Sequence, residues 1–305
     1  MIEVHELTKR YGTHTAVDRI SFEAHPGEIV GLLGPNGAGK TTTMRMLTGF
    51  MPPTSGVARI AGFDVLADSL EARRRVGYLP ERVPVYPDMT VAGYVSFWAR
   101  LRGVQNARAR VEAVLERVHL ADRRHTLIRN LSKGLRQRLG LAQALVHDPP
   151  VVILDEPTIG IDPQQVIEVR DSVRALGQQH TVLFSTHILS EAEQICDRVL
   201  IINQGRIITQ GEPAALRRQL QPGEHLYVVI SGASRGEALR LLERIPGVEA
   251  VSAQDDGYRL RIRPNAEARG EIADRVVKAG FRLLELRPVA MTLEDIFLDI
   301  VGKGS

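Results

Sequence analysis

The chain carries a single cysteine, Cys196, among 305 residues. No internal disulfide can form, and no cysteine-rich metal site can be built; such a composition fits a reducing cytoplasm. Long apolar runs are missing too. The most apolar uncharged stretch, residues 89–99, is about half the ~18 residues that a membrane helix needs. The first residues lack the basic flank and apolar core of a secretion signal. If the chain works at a membrane, another chain is expected to span it. Charge of one sign is also scarce. The 39 Lys and Arg against 36 Asp and Glu leave only +3, with the signs mixed rather than blocked, so no nucleic-acid partner is expected. What remains is an ordinary globular composition, 44% hydrophobic and 25% charged, long enough for one large domain or two modest ones.

Apolar periodicity divides the chain. Residues 2–8, 16–24 and 28–33 read as strands, and the third runs straight into a glycine-rich turn and a helix from about Lys40. Further strands fall near 57–60 and 76–79. From about 89 to 148 the period turns helical. Val91, Tyr94, Val95, Trp98 and Leu101 share one helix face, and this stripe is expected to pack inside the helical insert. Val111, Val114, Leu115 and Val118 mark a second helix; Leu139, Ala142, Leu145 and Val146 mark a third. Residues 151–154 form a short, wholly apolar strand of the kind buried on both faces. A helix over 164–176, a strand over 181–184, a helix over 190–196 and strands over 198–202 and 206–209 follow.

The expected organisation is therefore an α/β domain over 1–218 with a helical insert over about 89–148, a linker over 219–224, and a second domain over 225–305. In the last of these, strands at 226–230, 248–253, 258–262 and 281–286 alternate with helices at 235–244 and 267–279. That βαββαβ order predicts a small α+β, ferredoxin-like fold, closed by a helix over 293–301.

Two motifs carry chemistry. Gly34, Pro35, Asn36, Gly37, Ala38, Gly39, Lys40 and Thr41 fit the pattern G-x-x-x-x-G-K-[ST], and Thr42 continues the helix that they open. Glycines let the backbone turn tightly enough for successive N–H groups to face phosphate oxygens. The helix adds its positive N-terminal end. Lys40 is placed to reach the β- and γ-phosphates, and the Thr41 hydroxyl to hold Mg2+. The second motif is the apolar strand 151–154 ending in Asp155 and Glu156. A carboxylate at the tip of a buried strand suits Mg2+, usually through water. Its neighbour Glu156 can polarise or deprotonate an attacking water.

Over roughly residues 1–215 the sequence resembles the ABC ATPases, in which these two motifs belong to a P-loop NTPase domain. Leu131, Ser132, Lys133, Gly134 and Leu135 look like the family's signature sequence; Ile159 to Pro163 resemble its D-loop; Ser185, Thr186 and His187 resemble its switch histidine. The resemblance implies that Tyr11 stacks on adenine and that His187 lies near the γ-phosphate. It implies further that two copies pair head to tail around two ATP molecules, with Ser132 and Gly134 of one copy reaching the phosphates held by the other. Two positions depart from the family's pattern. Glu81 stands where a glutamine usually helps hold Mg2+ and the lytic water, and Lys133 and Leu135 stand where glycine and glutamine are usual.

The segment from Met291 to Leu298, together with Tyr78 to Glu81, looks like a bacterial branch of ATPase subunits serving type-2 ABC permeases. That branch includes exporters, gliding-motility transporters and nitrous-oxide-reductase assembly factors. The expected function is thus an ATP-hydrolysing subunit on the cytoplasmic face of the cell membrane, coupled to a separate permease that meets the loop 81–88. Tandem ATPase units or a long coiled-coil insert, usual in relatives acting on ribosomes or DNA, are not seen in the sequence.

Overall fold

The apolar runs become the centre of a sheet. In the computed structural model, which describes residues 1–220, 224–263, 266 and 268–289, the chain divides into two units, Met1–Pro213 and Ala214–Ser305. The first runs β1 (Ile2–Tyr11), β2 (His14–Ala24), β3 (Ile29–Leu33), α1 (Lys40–Leu47), β4 (Ser55–Ile60), β5 (Phe63–Asp64), α2 (Ser69–Arg74), β6 (Val76–Leu79), α3 (Val91–Leu101), α4 (Ala107–Arg117), α5 (Lys133–Leu145), β7 (Val151–Asp155), α6 (Pro163–Leu176), β8 (Thr181–Thr186), α7 (Leu189–Ile195), β9 (Arg198–Asn203) and β10 (Arg206–Gly211). Helix α8 (Pro213–Leu220) follows.

A six-stranded sheet has the order β10-β9-β3-β8-β7-β6, parallel except for the edge strand β10. Every residue of β3, β7 and β8 is buried, as expected where helices or another sheet cover both faces. On the edge, β10 alternates exposed and half-buried residues, the period of a strand with one wet face. A second, antiparallel sheet, β2-β1-β4-β5, packs on the first. Ile2, Val4, Leu7, Ile20 and Phe22 share one core with Val30, Leu32, Ile153, Leu183, Leu200 and α1's Met44 and Met46.

Local signals start the helices. Asp162 Oδ1 accepts hydrogen bonds from the N–H groups of Gln164 and Gln165, with Pro163 at the first turn of α6. Thr90 caps α3 through Gly93 N, and Ser132 caps α5 through Leu135 N. Within the insert, Val91, Tyr94, Val95, Val111, Val114, Leu115, Leu139 and Leu145 are buried. The stripe on α3 departs from the core at its end. Trp98 is only partly buried and lines a groove, while Leu101 is 63% exposed.

In the second unit, β11 (Glu224–Ser231), α9 (Arg235–Glu243), β12 (Val248–Gln254), β13 (Gly257–Ile262), α10 (Ala268–Lys278) and β14 (Arg282–Pro288) form the expected βαββαβ sequence. The antiparallel order β12-β13-β11-β14 is that of a ferredoxin-like sheet. Ala238, Leu242, Ile272 and Val276 of the helices close its core against Leu226, Val228, Leu260 and Ile262. Of the linker expected over 219–224, residues 219 and 220 belong to α8 and Glu224 to β11. Residues 221–223, the expected helix over 293–301 and the motif beginning at Met291 lie outside the described residues.

Candidate functional site

The strand order sets the site. β3, β8 and β7 are adjacent and parallel, so the segments leaving their C-terminal ends meet on one edge of the sheet. Strand β3 delivers the glycine loop, β7 delivers Asp155 and Glu156, and β8 delivers Ser185, Thr186 and His187.

The loop's glycines are required by space. Gly39 caps α1 with φ +107°, and a Cβ there would lie 2.6 Å from the Ala16 carbonyl. Only glycine takes that conformation without strain. The loop is braced from the opposite side as well: Gly205 N, in the turn between β9 and β10, donates to Ala38 O at 3.0 Å, and Ala38 N donates to Pro35 O at 3.2 Å. Lys40, 5% exposed, donates through Nζ to Gly34 O at 2.7 Å and to Pro35 O at 3.1 Å, and lies 3.2 Å from Glu156 Oε1.

The two acids are held differently. Asp155 is fully buried, and its Oδ1 accepts from Ser185 Oγ at 2.7 Å and from Thr41 Oγ1 at 3.3 Å. Burial raises its carboxyl above the usual carboxylate range, against the opposing pull of those two hydroxyls. Glu156 adopts φ +49°, and its N–H donates to the same Ser185 hydroxyl at 2.9 Å. Its carboxylate bridges two bases, with Oε1 toward Lys40 and Oε2 2.8 Å from His187 Nδ1. A strained backbone angle that aims a buried carboxylate at two bases is the kind of feature found at working sites.

A cavity of about 540 Å3 opens over these groups. Its lining includes Tyr11, Asn36, Gly37, Gly39, Lys40, Thr41, Thr42, Glu81 and Glu156, together with His14, Ala16 and Ile159. Tyr11 is 47% exposed, donates to Met51 Sδ at 3.0 Å, and lies beneath the Lys9 ammonium. Gly34, Pro35 and Ala38 belong to the same loop; Asp155 lies behind the lining and His187 beyond Glu156. Ser132 and Gly134 are not among the lining residues. Gly134 packs against the Gln165 side chain, and exposed Lys133 sets its ammonium against Gly160.

Sequence reasoning missed some of the site. His14 and Ala16 line the cavity because the β1–β2 hairpin folds over it. Ser185 was visible only as part of a motif; its bond to Asp155 follows from their pairing in the parallel ladder. Glu191, which accepts from Thr158 and Thr186, gave no signal beyond being an acid early in a helix.

A glycine cradle between a buried parallel strand and a helix, facing an aspartate and a glutamate on a neighbouring strand, defines a P-loop nucleotide hydrolase. Comparison with known proteins narrows this. The family described as "ABC transporter" matches residues 17–159, and that of the "ATP-binding protein DrrA1-3-like, C-terminal domain" matches residues 211–301. The chain is 37% identical to the ABC transporter ATP-binding protein YxlF of Bacillus subtilis (strain 168), with 99% of each chain covered. It is 35% identical to the daunorubicin resistance ATP-binding protein DrrA3 of Streptomyces coeruleorubidus, covering 99% of this chain and 96% of the relative. A solved ATP-binding subunit of an ABC transporter superposes with a TM-score of 0.67 at 30% identity, over 78% of this chain and 97% of that one. The chain belongs to the ATP-binding proteins of ABC transporters. It is an ATP-binding and ATP-hydrolysing subunit of that family.

Proposed function

We propose that the chain powers export by a separate membrane permease, through ATP-driven pairing of two copies followed by hydrolysis. The observation that carries the reading is the buried Glu156 carboxylate, bridging Lys40 and His187 at the wall of the cavity. In this reading the loop from Gly34 to Thr42 and Lys40 bind the phosphates, and Tyr11 stacks on adenine. Glu156 takes the proton of the attacking water and His187 orients the reacting groups. Ser132 and Gly134 reach the γ-phosphate of the other copy. Their position outside the cavity lining of their own chain supports that division of labour.

The residues present fit Mg2+. Thr41 and Asp155 offer hard oxygen donors, and Asp155 Oδ2 is buried without a hydrogen-bond partner. Among the described residues no cluster of three or more His, Cys, Asp or Glu forms a site made of protein ligands alone. A shared protein, water and phosphate shell, usual for Mg2+, suits such a site. Thr41 and Asp155, with Glu81 on the cavity wall, would hold the ion, which neutralises phosphate charge when bound.

For the permease the reading adds a docking surface. No helix among the described residues is long and apolar enough to cross a membrane. Beside the loop 81–88 lies a groove of about 490 Å3, lined by Arg45, Phe50, Tyr78, Pro84, Trp98 and Arg102 among others, with Phe50 74% exposed. Burial pushes the Tyr78 hydroxyl up to about 12, with the Asp155 carboxylate adding to the effect, so it stays protonated and available as a donor. The relative named for daunorubicin resistance supports the export direction. Placement on the inner face of the cell membrane follows from coupling to the permease.

The test is ATP turnover by the purified chain with Mg2+, with Glu156→Gln alongside, and sizing with and without ATP. Turnover lost in the variant, with ATP making the variant dimeric, supports the reading. Unchanged turnover in Glu156→Gln removes Glu156 as the base.

A further inference from the structure

The last rung of the ladder between β7 and β8 pairs Asp155 with Ser185. Past that rung the chains part into two loops, one carrying Glu156 to Ile159 and the other His187 and Ile188. The 2.8 Å contact between Glu156 and His187 depends on how these loops sit against each other.

Glu191, in the first turn of α7, lies across the gap. Its Oε2 accepts from Thr158 Oγ1 at 2.8 Å and from Thr186 Oγ1 at 3.1 Å. The Thr186 hydroxyl in turn accepts from Ile188 N at 3.0 Å, which fixes the turn around His187. All three side chains are buried, with residue exposures of 4% for Thr158, 0% for Thr186 and 6% for Glu191. Thr158 stands two residues after Glu156, and Thr186 stands immediately before His187.

We propose that Glu191 is a positioning residue for ATP hydrolysis, a buried clamp whose Oε2 ties the loop bearing Glu156 to the loop bearing His187. The proposal rests on the reading of Glu156 as the base. Both hydroxyls converge on the same oxygen, so the clamp needs an acceptor at that point rather than a negative charge. An amide oxygen meets the need and a methyl group does not. Loss of the clamp leaves the cavity lining in place but loosens the alignment of the two loops. A misplacement of about 1 Å at reacting groups is enough to slow a reaction about a hundredfold.

The experiment measures steady-state ATP hydrolysis by the full chain as wild type, Glu191→Ala, Glu191→Gln, the paired variant Thr158→Val with Thr186→Val, and Glu156→Gln. Glu191→Ala is expected to lower kcat by about ten- to a hundredfold, with KM for ATP within about threefold of wild type. Glu191→Gln is expected to keep at least half of the wild-type kcat. The threonine pair should reproduce the Glu191→Ala loss, and adding Glu191→Ala to it should lower kcat little further, the coupling expected of groups in one network.

Wild-type kcat in Glu191→Ala, a rise in KM matching the fall in kcat, or a Glu191→Gln as impaired as Glu191→Ala each overturns the proposal. Should Glu191→Ala fail to fold, Glu191→Gln and the threonine pair decide alone: active Gln with an impaired pair supports the clamp, and any other combination overturns it. If Glu156→Gln turns over normally, the reading of the base fails and the clamp falls with it. If Glu156→Gln is inactive while Glu191→Ala is not, only the clamp fails.

Discussion

His187 Nδ1 lies 2.8 Å from Glu156 Oε2, and the same carboxylate reaches Lys40 through its other oxygen at 3.2 Å. The histidine is the exposed partner, its side chain 37% accessible against 6% for Glu156. His187→Ala therefore removes an orienting contact without opening the core. The expected result is a fall in kcat of up to about a hundredfold with nucleotide affinity nearly unchanged. Single-turnover hydrolysis and equilibrium ATP binding, measured side by side, check it; equal losses in both would place His187 in binding instead.

Lys40 is held by two loop carbonyls and Glu156. Lys40→Ala removes the one cation of the loop from the site. Hydrogen bonds involving charged groups contribute about 1.5–3 kcal/mol, so ATP affinity should fall about ten- to a hundredfold. Titration with a fluorescent ATP analogue measures this, and an unchanged dissociation constant would mean that the loop's backbone carries binding alone.

Asp155 Oδ2 is buried without a partner beside the Thr41 hydroxyl. Chelation of Mg2+ is expected to stop hydrolysis, and Asp155→Asn to raise the Mg2+ concentration that gives half-maximal turnover. A Mg2+ titration of the two proteins at saturating ATP reads the shift. Identical titration curves would remove Asp155 from the ion's shell.

His147 bonds through Nε2 with the Val76 carbonyl at 3.1 Å. Burial, helped by the nearby Arg102 guanidinium, pushes its imidazole down to about 4 from an ordinary 6.5. The folded protein thus keeps this ring neutral where the unfolded chain protonates it. The stabilisation is present in full above pH 6.5 and is lost progressively as pH falls toward 4. Allowing for partial solvent exposure, wild type should lose on the order of 2 kcal/mol more than His147→Gln across that window. Denaturant unfolding at a series of pH values measures the difference, and parallel pH profiles would refute it.

What could be read from residues alone follows the strength of local rules. The strands β3, β7 and β8 were legible because burial on both faces leaves runs such as Val151 to Leu154 wholly apolar. The loop around Lys40 was legible because its spacing is set by phosphate geometry. The βαββαβ order of the second unit showed in its alternating periods. Elements with weak patterns escaped: β5 has two residues, α2 has six, and α8 runs into what looked like a linker. Trp98 looked like core because periodicity reports a face, not what covers that face. The partnership of Ser185 with Asp155 and of Glu191 with two threonines depends on register and tertiary approach, which no local pattern encodes.

Gln137, on α5 and 2% exposed, donates through Nε2 to the backbone carbonyl of Glu81 at 3.2 Å. The same helix is capped by Ser132, at the start of the segment that stays off its own cavity. Five residues of helix separate the two points by about 7–8 Å along the axis, and a helix of that length behaves as a stiff rod. One short stretch of helix and one hydrogen bond thus join the Ser132 cap to the chain that carries Glu81 into the nucleotide cavity.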